Sequence, residues 1–141
     1  MKPLFIAILL CVLTTFAFAQ DRAIAPRRAF QPSPSLMTRE GTDDAAGLVQ
    51  TPAGYPLPLN GSPIPARSLV GILGHELLKS GANQVVLWSN DGVQVVEAKA
   101  VRDLFPNLER IVFRLPADLH GDVWVATLGR QSSNVVRITI E

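Results

Sequence analysis

Cysteine is almost missing from this chain: Cys11 is the single one among 141 residues, and it sits in an apolar run near the start. An internal disulfide is therefore excluded, so the chain must fold by packing alone or by leaning on a partner. Histidine is nearly as scarce, with His75 and His120 only, and a zinc site that takes three or four ligands would need both of them to meet. Charge of one sign is lacking too. There are 13 Lys and Arg against 12 Asp and Glu, and setting Lys2 aside makes the two equal. No basic footprint exists for nucleic acid or anionic lipid, so neither is expected as a partner. Past the N-terminus no apolar run approaches the roughly 20 residues of a membrane helix.

What is present begins with delivery. Lys2 precedes an apolar run over residues 4–13, and the segment ends on Ala17-Phe18-Ala19 before Gln20. That pattern reads as a signal peptide over residues 1–19, cleaved after Ala19, and it sends the mature chain out of the cytoplasm, secreted or periplasmic, with no membrane span of its own. Cys11 follows Leu10 with no small-residue pair before it, so it reads as a hydrophobe of the signal core rather than a lipid-attachment site.

Residues 20–65 hold eight of the 11 prolines and show neither helical nor strand periodicity. Proline removes backbone donors and biases its neighbours to extended conformations, so this stretch reads as a largely disordered leader. The pairs Arg27-Arg28 and Asp43-Asp44 read as solvated charges. Tyr55-Pro56-Leu57-Pro58-Leu59 is the exception: it reads first as an extended lead-in packed loosely on its own domain, and apolar residues alternating with prolines also suit a sheet edge or another protein's groove.

From residue 66 to 141 only Pro106 and Pro116 remain, and the composition turns strand-like. Strands are expected over residues 68–73, 84–88, 92–101, 109–115, 122–128 and 134–140, each bounded by Gly, Pro, Ser or Asn. Asn90-Asp91-Gly92 is a hairpin turn, because Asn and Asp tolerate the left-handed conformation and Gly adopts it freely. In the fourth strand Ile111, Phe113 and Leu115 share one face, opposite Arg110, Val112 and Arg114. The fifth is apolar on both faces, which suggests that one is covered, by the lead-in or by a partner such as a second copy of the chain. In the last, Val136, Ile138 and Ile140 alternate with Arg137 and Thr139, and a one-residue slip would bury Arg137. Six short strands with almost no helix predict an all-β fold, a small antiparallel β-sandwich.

The stretch S-L-V-G-I-L-G-H-E-L over residues 68–77 resembles the opening of immunoglobulin-like IPT/TIG domains, where a strand leads to a Gly-x-x-Leu turn, here Gly74 and Leu77. The tail is similar to an uncharacterised C-terminal domain of exported Acidobacteria (Solibacter-type) proteins through Pro106, Ile111, Phe113, Pro116, Gly121 and Ser132-Ser133-Asn134-Val135-Val136. The resemblance covers residues 64–140. It departs from the pattern over residues 96–104, which carry Glu97, Lys99, Arg102 and Asp103 where a short Gly-Ala-Pro connection is usual, and at Val135 in place of proline. It implies an immunoglobulin-like domain serving as an appendage or interaction module, with no activity attached.

The residues offer little chemistry. His75 beside Glu76 and His120 between Asp118 and Asp122 lie in expected turns, and solvated histidines explain them without a metal. No D-x-D-x-D-G calcium loop is present, and Ser132 and Ser133 lack a nucleophile elbow. Enzymatic function and a cofactor are not expected. Trp88, Trp124 and Tyr55 are the candidate binding residues, since a tryptophan on a β-sheet can stack on a sugar or anchor a protein. For Trp124, with apolar strand neighbours, burial between sheets is the preferred reading, whereas Trp88, next to a turn, fits either. The sequence thus predicts an exported, non-enzymatic module for protein or carbohydrate binding, adhesion or scaffolding, able to self-associate. The alternative is an accessory subunit whose leader docks on a partner by strand addition.

Overall fold

Period-two alternation places Ile111 and Phe113, then Val136, Ile138 and Ile140, on inward faces, and the computed structural model, which describes residues 33–141, buries all five. The described residues form nine strands: β1 (Ser35–Leu36), β2 (Gly47–Gln50), β3 (Pro56–Leu59), β4 (Leu69–His75), β5 (Gln84–Ser89), β6 (Gly92–Arg102), β7 (Glu109–Arg114), β8 (Gly121–Leu128) and β9 (Val136–Ile140). Among the described residues there is no helix, and none long and apolar enough to cross a membrane. The expected signal peptide, Cys11 and the first part of the expected leader lie outside the described residues.

All strand pairings are antiparallel, in the order β3-β2-β4-β7-β6-β5-β8-β9, with β1 also on β4. β6 turns the corner of this sheet. Its first half pairs with β5, from Gly92↔Ser89 to Glu97↔Gln84, and its second half with β7, from Ala98↔Phe113 to Arg102↔Glu109. The far end nearly closes on the beginning. Ala45 N–H donates to Arg137 O at 2.9 Å and Arg137 N–H to Asp43 O at 2.8 Å, while Ile64 N–H donates to Thr139 O and Glu141 N–H to Ile64 O, both at 2.9 Å. These bonds give β9 a second neighbour and remove an open edge.

The core runs through the whole arrangement, with Val70, Ile72, Val85, Leu87, Ile111, Phe113, Val123 and Val125 at its centre. Leu77 closes one end, and Gly74 lets it do so. A Cβ on Gly74 would lie 2.4 Å from Ser35 O and 3.1 Å from Leu77 Cδ1, which is the physical reason for glycine and leucine at that spacing.

The six strands expected beyond residue 66 form within about two residues of their expected bounds. The disordered leader does not hold over residues 33–65. This segment supplies β1, β2 and β3 and buries Leu36, Ala45, Val49, Leu59 and Ile64 in the common core. Six strands alone would leave β4 and β9 with bare edges and the core unclosed, and these residues fill both gaps. Proline is tolerated in β3 for a geometric reason. Thr51 N–H donates to Tyr55 O at 2.9 Å, so alternation makes Val49↔Leu57 and Gly47↔Leu59 the hydrogen-bonded pairs with β2. Pro56 and Pro58 then occupy the positions whose N–H would face the free edge, which is where a strand accommodates proline.

Candidate functional site

The outer face of β6, β5, β8 and β9 carries the strongest functional signal. Because Val85, Leu87, Val123 and Val125 point inward, alternation sends Val86 and Trp88 of β5, and Trp124 and Ala126 of β8, to the outside. The register aligns them in rows. Trp88 pairs with Trp124, flanked by Val93 on β6 and by Arg137 on β9, and Val86 pairs with Ala126, flanked by Val95. Trp88 and Trp124 remain 36% and 38% exposed, and Val93 and Val95 are more than half exposed. Val135, immediately before β9, is exposed as well. A contiguous patch of two indoles and several valines on a solvent-facing sheet calls for explanation, whereas single exposed apolar residues do not.

Trp124 is therefore not the core tryptophan that its apolar neighbours suggested. It is 38% exposed on the outer face, where its neighbours Val86 and Ala126 are buried. The structure unites Trp88 and Trp124 and leaves Tyr55 apart, 70% exposed on the β2–β3 hairpin.

Arg137 anchors one end of the patch. Its guanidinium lies 5.9 Å from the Trp124 ring centroid, within cation–π range. Nε donates to Asp44 Oδ1 at 2.9 Å, Nη2 lies 2.8 Å from the same oxygen, and Nη1 is 4.0 Å from Asp122 Oδ2. The hydrogen bond and charge of Asp44 hold the guanidinium ionised, above its already high ordinary range. Asp44 is itself buried. The Asp43-Asp44 pair, read from sequence as solvated, is thus part of the closing seam: the Asp43 carbonyl accepts from Arg137 N–H and the Asp44 carboxylate holds the Arg137 side chain. An apolar sequence around residues 45–49 was the only local hint that this acidic pair lies against a sheet.

The residues weighed for catalysis or metal binding do not converge. His75 Nδ1 is 3.1 Å from Asn107 O, Asp118 accepts from Gln94 on the other side of the fold, and His120 is exposed. His75 ends β4 rather than lying in a turn. Among the described residues no group of three or more His, Cys, Asp or Glu could hold a metal ion. Ser133 Oγ accepts from Thr127 N–H at 2.9 Å and donates to Asn134 O at 2.8 Å, which ties the approach of β9 to β8. No protein-family model, curated protein or solved structure gives a significant match to the chain.

Proposed function

We propose that the chain is an exported, non-enzymatic binding module, an immunoglobulin-like β-sandwich of the IPT/TIG kind, whose tryptophan face docks a protein partner. The observation that carries this reading is the adjacent, half-exposed Trp88–Trp124 pair within a patch of valines. Tryptophan and arginine are enriched among the residues that dominate protein interfaces, and Trp88, Trp124 and Arg137 stand in one row. A protein is favoured over a carbohydrate by the surroundings of the indoles. Val93, Val95 and Val135 offer a sugar no hydrogen bonds, and the nearest charged donor, Arg137, is already engaged by Asp44. The sandwich reading draws support from β6, which divides its pairing between two groups of strands. Strand addition by the leader is disfavoured, because residues 56–59 are engaged as β3 and prolines line its free side.

The test places a photo-crosslinking residue at position 95 or 93 in the secreted protein and compares capture with and without W88A and W124A. One discrete protein adduct, lost in both variants while the fold persists, supports the reading. Sedimentation equilibrium identifies that partner as a second copy if the mass doubles. Tryptophan fluorescence that responds to oligosaccharides and to no protein would overturn it in favour of a carbohydrate.

A further inference from the structure

We infer that a cavity between the turn after β4 and the β6–β7 loop binds a free α-amino acid with an apolar side chain. The cavity measures about 670 Å³, inside the range of roughly 300–1,000 Å³ usual for small-ligand sites. It shares no lining residue with the tryptophan face, and the inference is independent of that face's role.

The charges lining this cavity are unequally committed. Asp103 Oδ2 holds Arg110 Nε at 3.1 Å, and the Glu109 carboxylate accepts Leu78 N–H at 2.9 Å. Arg102 lines the same cavity, and its guanidinium makes no ion pair or hydrogen bond among the described residues. Glu76 Oε2 is buried and accepts no hydrogen bond, with Lys79 Nζ at 3.5 Å as its neighbour. The Lys79 side chain is largely exposed, so it can swing aside and yield its place to a ligand ammonium at little cost. A guanidinium without a partner, and a carboxylate whose Oε2 is held only by the ion pair to an exposed lysine, match an α-carboxylate and an α-ammonium that takes the lysine's place. Acidic and basic lining residues nearly balance, which favours a ligand with no net charge. Leu104, 96% exposed, and Phe105 supply an apolar wall that solvent alone does not reward.

The backbone adds an independent sign. Glu76 and Asn107, both lining the cavity, sit in the left-handed region at φ +58° and +67°. Asparagine adopts this region readily, glutamate seldom, and such strain collects at ligand clamps.

The test titrates the exported protein with L-phenylalanine and follows backbone amides by NMR. Shifts at Leu78, Phe105 and Asn107 are expected. N-acetyl-L-phenylalanine, without the ammonium, and L-phenylalaninamide, without the carboxylate, should each bind about tenfold more weakly or worse, the loss of a charge-assisted hydrogen bond. R102Q should erase the preference over the amide, and E76Q the preference over the acetylated form. Arg102 is exposed, so R102Q keeps the fold and decides the matter even if E76Q does not. W124A should leave the titration unchanged. Equal binding of all three compounds, shifts confined to other parts of the chain, or no shift at millimolar ligand would each overturn the inference.

Discussion

Thr127 is wholly buried on the inner side of β8, and its Oγ1 has no hydrogen-bond partner. A buried hydroxyl left unpaired costs about 1–3 kcal/mol, so Thr127→Val, which removes the hydroxyl at nearly the same shape, should leave stability equal or raise it by about 1 kcal/mol. Urea denaturation with an unchanged slope checks this, and a clear loss would mean that the hydroxyl has a partner in solution. Arg137 makes the opposite case. Removing it leaves the Asp44 carboxylate buried without its cation, so the double variant R137Q/D44N should cost less than the sum of R137Q and D44N alone, a coupling that a double-mutant cycle reads directly. The sign with pH follows from the raised arginine pKa. The contribution is fully present below the ordinary arginine value and is lost only as the pH rises past the folded one, so the arginine causes no weakening at neutral or mildly alkaline pH. The outward direction of Arg137 was legible in the sequence, because alternation with Val136 and Ile138 permits nothing else. Its partner was not, since 93 residues separate it from Asp44.

Among the elements, β2 and β4 approach closely at two glycines. A Cβ on Gly47 would lie 2.0 Å from the carbonyl oxygen of Gly71, a backbone atom that cannot step aside alone. Gly47→Ala should therefore cost about 1–3 kcal/mol, the range for overpacking, which a thermal melt beside the unaltered chain reads as a lowered midpoint. The prolines of β3 act on a different property. Replacing Pro56 and Pro58 with valine restores two outward N–H groups on the free edge, and concentration-dependent association in size-exclusion chromatography is the expected result, with little change in monomer stability. Periodicity located β4 to β9 because each exceeds four residues and alternates or is bounded by turn residues. It missed β1 and β2 and offered β3 only as a possible sheet edge, because strands of two to four residues exist only through the neighbours they pair with.

For the whole molecule, the consequence is that the folded unit reaches back well before residue 66. A chain starting at residue 66 would lack β1, β2, β3 and the buried Ile64 that brackets β9, and should show no cooperative thermal transition. A chain starting at residue 33 keeps every described contact and should melt cooperatively. If the shorter chain folds as well as the longer one, the first three strands are an appendage after all. The tryptophan face acts at the same scale. W88A and W124A remove surface that is already half exposed, so both should retain most of their stability while changing association, which sedimentation separates from unfolding.

Local pattern was enough for the all-β class, for six of the nine strands among the described residues, for the inward faces of β7 and β9 and for the hairpin at Asn90-Asp91, because each depends on residues within about ten positions of one another. It also singled out Trp88 and Trp124. Only the tertiary structure decided which way Trp124 faces, since both sides of β8 are apolar and the choice depends on where the remaining strands pack. The same holds for the closure of β9 on residues 43–45 and 64, and for the cavity between the turn after β4 and the β6–β7 loop. Those features are made by contacts between distant segments, and no local pattern of polarity records which distant segment will arrive.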